Sequence, residues 1–117
     1  MRKTDKKIEK QLCRTLTELC ENDLKAFTGF QWLTHLVNYD NFPKSLKIIF
    51  VFDTNQQLND FMANNHQLTF NKLIQQALFA IDINYQNIND HLFYDTEENC
   101  TKKHKGKWPL RFSQVYA

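Results

Sequence analysis

Apolar side chains recur every three or four residues over positions 5–28, which is the spacing of the buried face of an α-helix. The residues of this stripe are Ile8, Leu12, Leu16, Leu19, Cys20, Leu24 and Phe27. Thr4 or Asp5 can cap the start of the helix, and Gly29 can adopt the left-handed conformation that ends it. The pattern therefore predicts a first helix of about six turns.

Between Gly29 and Asp53 the pattern changes to that of extended chain. Residues 30–39 and 46–52 are rich in β-favouring side chains, and the turn-forming segment 40–45 lies between them. Apolar side chains occupy both faces of the second run, which is typical of a strand in the middle of a sheet. We therefore predict a β-hairpin whose second strand is central.

The second half of the chain begins with helical patterns and returns to an extended one. A short helix is predicted near Leu58 and a longer one over Leu68–Ile81, with the polar residues 64–67 between them. Residues 91–95 alternate in polarity and are rich in aromatic side chains, so they predict a third strand.

A basic short helix followed by an aromatic tail is predicted for residues 97–117. Thr96 can cap the helix, two glutamates follow it, and basic residues fill the last turn before Gly106. Each charge then complements the helix dipole. The tail is rich in apolar side chains, so we expect it to dock on the domain or on a partner.

These elements, in the order α-β-β-α(α)-β-α, predict a single α+β domain over residues 1–117. Its small three-stranded sheet is at least partly antiparallel and is packed on one face by the first helix and the Leu68–Ile81 helix. A chain of 117 residues can bury roughly two-thirds of its unfolded surface, which suffices for a core without disulfides.

The formal net charge of +2 conceals a segregated pattern. Residues 1–14 carry six basic and two acidic side chains, residues 15–100 carry four basic and eleven acidic ones, and residues 101–117 carry five basic and no acidic ones. Near-neutrality is therefore a cancellation between two basic ends and an acidic middle, and the basic ends are candidate contacts for a polyanion.

The sequence predicts neither a signal peptide nor a membrane span. The longest apolar runs, 48–52 and 77–81, hold five residues each, whereas a membrane-spanning helix needs about 20. Three cysteines, an odd number, do not form a disulfide framework, and we expect Cys13 and Cys20 to pack as reduced thiols. The expected location is the cytoplasm.

Four stretches of the chain carry a resemblance to a known family. They are Gly29–Tyr39, Asn41–Lys47, Phe52–Asn55 and Tyr94–Cys100. They resemble a family of small uncharacterised proteins from marine and related gammaproteobacteria, over nearly the whole chain. Some members carry the label of Fis-family transcriptional regulators, which implies a dimeric, helical, DNA-bending protein with a C-terminal helix-turn-helix. Residues 83–117 instead predict an extended segment, a strand and one short basic helix, without a second helix after a tight turn.

Carboxylates at the ends of two predicted strands form one candidate metal site. It consists of Asp53, Asp95, Glu97 and Glu98. If the second and third strands are parallel neighbours, these side chains reach the same end of the sheet and could hold Mg²⁺ for phosphodiester cleavage. The alternative is that Asp and Thr are the ordinary residues of strand-to-helix turns, as in Asp53-Thr54 and Asp95-Thr96.

A second metal hypothesis places zinc on Cys100 and His104, which are one helical turn apart. Completing that site would need ligands from remote residues. The candidates are Cys13, Cys20, His66 and His91. We expect His35 and His91, which lie within or beside strands, to have structural partners instead.

The basic ends of the chain are a candidate nucleic-acid site. The candidate residues are Arg2, Lys3, Lys6, Lys7, Lys10, Arg14, Lys102, Lys103, Lys105, Lys107, Arg111 and Trp108. If the termini meet, these cations attract phosphates, and Trp108 can stack on a base. The acidic middle opposes this binding unless it faces away from the nucleic acid.

The first expectation for function is a non-enzymatic interaction or regulatory module. The edges of a small sheet, a long first helix and an aromatic tail offer surfaces to a protein partner or to a second copy of the chain in a homodimer. Aromatic residues make up 14% of the chain and must fill either a core or an interface. Nucleic-acid binding and a metal-dependent phosphodiesterase are the alternatives, and neither a cofactor nor a catalytic residue is expected.

Overall fold

The computed structural model of the chain describes residues 2–116. Within these residues the helices and strands are α1 (Lys3–Asn22), β1 (Phe30–Leu36), β2 (Lys47–Phe52), α2 (Asn55–Ala63), α3 (His66–Phe79), β3 (Leu92–Thr96), α4 (Glu97–His104) and α5 (Trp108–Val115). Short 3₁₀ turns lie at Leu24–Ala26, Tyr39–Asn41 and Ile88–His91.

The three strands form one mixed sheet with β2 in the middle. β1 pairs with β2 in the antiparallel direction, and β2 pairs with β3 in the parallel direction. The parallel pairing requires a crossover connection, which contains α2 and α3. The predicted α+β class, the order of the elements and the central position of the second strand are confirmed.

One face of the sheet carries the main core. The β2 side chains on this face are Ile48, Phe50 and Phe52, all fully buried. The helices α1 and α3 contribute their apolar stripes to the same cluster, which are Leu12, Leu16 and Leu19 from α1 and Phe70, Ile74 and Leu78 from α3. The predicted packing of these two helices on one face is therefore confirmed.

The opposite face of β2 is also buried, because α5 packs across it. Trp32 of β1 and Trp108 of α5 pack edge to face with ring centroids 4.9 Å apart, and Tyr116 packs against Phe93 of β3. Trp32 is the register partner of Val51, so these rings lie on the Val51 side of the sheet. The apolar residues on both faces of β2 thus each have a covering layer.

The C-terminal tail is itself a helix, contrary to the expectation of a single short helix near this end. α5 begins after only three residues, so the chain ends in two helices joined by a tight turn. The rings of Trp108, Phe112 and Tyr116, four residues apart, line one side of α5. Pro109 lies in the first turn, where proline is compatible with a helix. A helix of eight residues depends on tertiary packing for its stability. The helical conformation of α5 is therefore stabilised by its contacts with the face of the sheet that it covers.

The first helix also ends earlier than predicted. α1 stops at Asn22, and the 3₁₀ turn Leu24–Ala26 continues the apolar stripe by burying Leu24. Gly29 does have a left-handed conformation, with φ of 86°, but it leads into β1 rather than ending the helix. A β-carbon at Gly29 would collide with the side chain of Gln57 in α2, so this position requires glycine for two reasons.

Two threonines start the helices that follow β2 and β3. Thr54 accepts a hydrogen bond from the Gln57 amide at 3.1 Å, and Thr96 accepts one from the Asn99 amide at 3.0 Å. The Thr96 hydroxyl also donates to Asn55 at 2.6 Å, which joins the two helix starts. The interpretation of the repeated Asp-Thr pair as strand-to-helix turn chemistry is confirmed.

Among residues 2–116, no helix combines the length and the apolar composition that crossing a membrane requires.

Candidate functional site

The parallel pairing of β2 and β3 brings Asp53 and Asp95 to the same end of the sheet, as the carboxylate hypothesis requires. Val51 is the register partner of Asp95, so the two strands end side by side. The amide of Glu98 donates to the carbonyl of Asp53 at 3.1 Å, which closes the turn between them. The backbone geometry of the predicted site therefore exists, and the side chains decide whether it binds metal.

Asp95 is occupied by an ion pair within the protein. Its carboxylate accepts two hydrogen bonds from the Arg111 guanidinium, at 2.6 and 2.9 Å, and one from the Tyr116 hydroxyl at 2.7 Å. Asp95 and Arg111 are only 2% and 6% exposed. Burial alone raises the pKa of Asp95, but the hydrogen bonds from Arg111, Tyr116 and the Thr96 amide outweigh it and hold this pKa below its ordinary value. Asp95 thus anchors α5 to the sheet.

Acidification is expected to destabilise the protein as Asp95 is protonated. Because its pKa is lower in the folded state than the ordinary value of about 3.9, its contribution is fully present above about pH 4 and is lost as the pH falls through the folded value. Urea unfolding between neutral and strongly acidic pH measures this loss. Asp95→Asn should show a shallower decline over the same interval, and an equal decline would assign the loss to other carboxylates.

The other three predicted metal ligands also have their own surroundings. Glu97 accepts a hydrogen bond from the Trp108 indole at 2.6 Å. Glu98 accepts from the Asn55 amide at 3.0 Å and pairs with Lys102 at 2.7 Å, and the hydrogen bond from Lys102 lowers its pKa. Asp53 is exposed. Among residues 2–116 these carboxylates do not gather into a metal-sized group of three.

The residues of the zinc hypothesis at the end of α4, Cys100 and His104, likewise do not meet in a group of metal ligands within the described chain. Cys100 is buried, with 1% exposure, whereas the His104 ring lies at the surface of the α4–α5 pair. One ring nitrogen of His104 lies 3.0 Å from Gln114 and the other lies 3.2 Å from the Arg111 guanidinium. Both nitrogens are therefore engaged, and no group of ligands forms at these two residues within the described chain.

The C-terminal candidates for nucleic-acid binding divide into two sets. Arg111 is buried against Asp95, and Trp108 is half-buried between Trp32 and Glu97. The remaining C-terminal cations are exposed, and they are Lys102, Lys103, Lys105 and Lys107. Lys102 and Lys103 lie in the last turn of α4 and Lys105 is its C-cap, where positive charge stabilises the helix, whereas Lys107 is the N-cap residue of α5. The fold itself thus accounts for most of the C-terminal charge.

The N-terminal cations form a straight line on α1. Lys3, Lys7, Lys10 and Arg14 are spaced by four, three and four residues, so they share one face, and all are exposed. We call these four residues the α1 stripe. Lys6 lies beside it and is also exposed. Among residues 2–116 the ion pairs are Arg2–Asp5, His35–Glu9, Lys102–Glu98 and Arg111–Asp95, none of which uses the stripe.

The α1 stripe opposes the stability of its own helix. Lys3 lies in the first turn of α1, where a cation interacts unfavourably with the helix dipole, and like charges three or four residues apart along the stripe each cost about 0.2–0.5 kcal/mol. The last turn of α1, where positive charge would be favourable, carries none. Unlike the lysines of α4, these cations therefore have no structural explanation within the fold.

A third group of side chains joins α1 to β1, and it was not predicted from the sequence. The Nε2 atom of His35 lies 2.5 Å from Oε1 of Glu9, and the Tyr39 hydroxyl donates to Oε2 of Glu9 at 2.5 Å. The thiol of Cys13 donates to Oε1 of Glu9 at 3.7 Å. Glu9 and Cys13 are one turn apart, which the sequence does show, but 26 residues separate Glu9 from His35.

The Cys13 thiol in this group is not an activated nucleophile. Burial and the neighbouring Glu9 carboxylate raise the pKa of the thiol, which disfavours the reactive thiolate. Burial also raises the pKa of Glu9, but the hydrogen bonds from Tyr39 and His35 outweigh it, so Glu9 is held ionised with a lowered pKa. The group combines a carboxylate, an imidazole and a thiol without a Cys–His hydrogen bond.

A cleft of about 460 Å³ lies between the segment 26–28, which precedes β1, and α2. Phe27, Phe61 and His66 supply aromatic surface, and the polar lining includes Asp60 and Gln57. Its lining residues carry a carboxylate and neither Lys nor Arg. This cleft is therefore unsuited to phosphate, in contrast to the α1 stripe.

Comparison of the chain with family models, curated proteins and solved structures finds no match in any of the three. The function has to be inferred from the residues of this chain.

Proposed function

We propose that this protein is a small non-enzymatic binding module whose partner is nucleic acid, held by its phosphate backbone along the α1 stripe. The observation that carries the proposal is the line of four exposed cations on α1, none of them in an ion pair among the described residues, whose mutual repulsion at three- and four-residue spacing destabilises the helix. A polyanion would convert this unfavourable arrangement into a favourable one. Nothing in the proposal requires catalysis.

The geometry of the stripe suits a phosphate backbone. Lys3 and Arg14 are eleven positions apart, so the stripe extends about 16 Å along the helix axis. A strand of duplex DNA carries one phosphate per roughly 3.4 Å of its axis, so several phosphates fall within reach of the four long side chains. Lys and Arg are the residues that make such backbone contacts, which carry no base specificity.

The acidic middle of the chain opposes this binding less than its formal charge indicates. Asp95 is neutralised by Arg111, and Glu98 is paired with Lys102. Glu9, an acid of the basic N-terminal segment that lies next to Lys10 of the stripe, also turns its carboxylate toward His35 and Tyr39. Part of the acidic charge is thus satisfied by partners inside the fold.

Removing three cations of the stripe is expected to abolish most of the nucleic-acid affinity. Binding of a short fluorescent DNA duplex, followed by anisotropy over a range of salt concentrations, gives the slope of log affinity against log salt. For Lys7→Gln/Lys10→Gln/Arg14→Gln this slope should become shallower by roughly three, because each lost phosphate contact removes about one unit. Affinity at low salt should fall by about tenfold or more.

The matched control removes the same charge from the end of α4 and the turn that follows it. Lys103→Gln/Lys105→Gln/Lys107→Gln also lowers the net charge by three, at exposed positions outside α1. It should keep most of the affinity and of the salt slope. Equal losses in both triple variants would show attraction by net charge alone and would contradict a role for the stripe, and salt-independent or absent binding in the natural chain would refute the proposal.

A further inference from the structure

The group formed by Glu9, Cys13 and His35 has the composition of a transition-metal site. Among residues 2–116 it is the group in which three side chains of metal-binding type place their ligand atoms within 4.8 Å of one another. Its donors are one carboxylate oxygen, one thiol sulfur and one imidazole nitrogen. Mg²⁺ and Ca²⁺ prefer oxygen ligands alone, whereas Zn²⁺ accepts all three donors.

We propose that Glu9, Cys13 and His35 bind a divalent transition-metal ion, with Zn²⁺ as the ion best suited to these ligands. This inference is independent of nucleic-acid binding. It concerns a site different from the carboxylates at the ends of β2 and β3, and from the Cys100–His104 pair.

The distances within the group agree with zinc coordination. A tetrahedral Zn²⁺ with ordinary bonds to oxygen and sulfur holds these two atoms about 3.6 Å apart, and Cys13 Sγ lies 3.7 Å from Glu9 Oε1. The His35 nitrogen, at 2.5 Å from the same oxygen, has to move away by somewhat less than 1 Å as the ion takes the place of the shared proton. Binding releases the thiol proton to solvent, and the proton shared by His35 and Glu9 passes to Nδ1 of His35 or to solvent, because the ion binds an unprotonated Nε2.

Two elements of the fold supply the three ligands. Glu9 and Cys13 lie one turn apart on α1, so a single helix face presents both. His35 comes from β1, where it is the register partner of Ile48 in the central strand. Tyr39 donates to the second oxygen of Glu9 and fixes the orientation of the carboxylate, as partners of metal ligands do.

The group is also accessible to an ion from solvent. Cys13 is exposed, and the side chains of His35 and Glu9 are 14% and 32% exposed. Cys13 and His35 line a shallow groove of about 230 Å³ between α1 and β1. Three protein ligands beside solvent leave one tetrahedral position for water, which is the arrangement of an open zinc site.

Titration of the untagged full chain with Co²⁺ and Zn²⁺ tests the site. A thiolate bound to Co²⁺ gives a charge-transfer absorption band, so the natural chain should show this band and lose it when Zn²⁺ displaces Co²⁺. Cys13→Ser should not form the band and should weaken Zn²⁺ binding, measured by calorimetry, by roughly tenfold or more. The variant should fold normally because Cys13 is exposed.

Cys20→Ser is the matched control, since Cys20 lies two turns further along the same helix and outside the group. It should retain the cobalt band and the zinc affinity. Stability of the metal-free variants, measured by urea unfolding, separates loss of a ligand from loss of the fold. Absence of Zn²⁺ binding in the natural chain, or an unchanged cobalt band in folded Cys13→Ser, would overturn the assignment.

Discussion

Arg111→Met is expected to lower the free energy of unfolding by about 3–5 kcal/mol, because it leaves the buried Asp95 carboxylate without its cation. Tyr116 can still donate one hydrogen bond to Asp95, but the two bonds from the guanidinium disappear. Domains of this size are commonly stable by only about 5–15 kcal/mol, so the loss is a large fraction of the total. Urea unfolding at neutral pH, followed by circular dichroism, measures it.

The double variant Asp95→Leu/Arg111→Met separates the burial of an unpaired charge from the loss of packing. Replacing both members of a buried pair by apolar residues often costs little, so the double variant should recover much of the lost stability. Lys103→Met provides an exposed cation on α4 as the control, expected to change stability by less than about 0.5 kcal/mol. A double variant as unstable as Arg111→Met would contradict an electrostatic origin.

Arg111→Met should also loosen α5, since the ion pair between Arg111 and Asp95 joins this helix to β3. Trp108 packs on Trp32 and donates to Glu97, so its fluorescence reports the position of α5. A change in tryptophan emission below the main unfolding transition would show that α5 detaches first. This outcome is consistent with a short helix that depends on tertiary contacts.

Phe70→Ala is expected to destabilise the protein by about 3–5 kcal/mol through the cavity that it leaves. Phe70 has no exposed surface and lies at the centre of the aromatic core on α3. Its ring centroid is 4.7 Å from that of Phe61, 4.8 Å from that of Phe27 and 5.1 Å from that of Phe50. Thermal and urea unfolding measure the loss.

Phe79→Ala is the control on the same helix, since Phe79 is 68% exposed. It should change the free energy of unfolding by less than about 0.5 kcal/mol. Phe70→Leu, which retains much of the side-chain volume, should cost less than Phe70→Ala. Similar losses for the two alanine variants would show that Phe79 is covered in solution, for example by a second copy of the chain.

The main core was predictable because it depends on periodicity. The four-residue spacing of Leu12 and Leu16, and the alternation within β2, are local properties that decide which face of an element is apolar. The two apolar faces of β2 also correctly indicated a central strand. The Asp-Thr pairs before α2 and α4 were assigned to turns, because capping needs only residues within the same turn.

The candidate sites were less predictable, because they depend on which side chains meet. The sequence predicted Asp95 as a metal ligand and Arg111 as a nucleic-acid contact, and the structure pairs them with each other. That pairing required the tail to form α5 and to cover the second face of the sheet, whereas the apolar pattern predicted only that the tail docks on the domain or on a partner. The proximity of Glu9 to His35 likewise depends on how α1 crosses β1, and sequence spacing carries no information about it.

The sequence by itself determined the elements, the apolar faces that form the main core, and the segregation of charge into basic ends and an acidic middle. Only the tertiary structure decided which of those charges remain free to bind a partner. Lys102 and Lys103 complement the dipole of α4, and Arg111 forms an ion pair with Asp95. Among the described residues, the α1 stripe has no ion-pair partner. The physical reason is that the spacing of apolar residues within a few positions decides which face of a helix or strand is apolar. The pairing of two charges instead depends on contacts between distant parts of the chain.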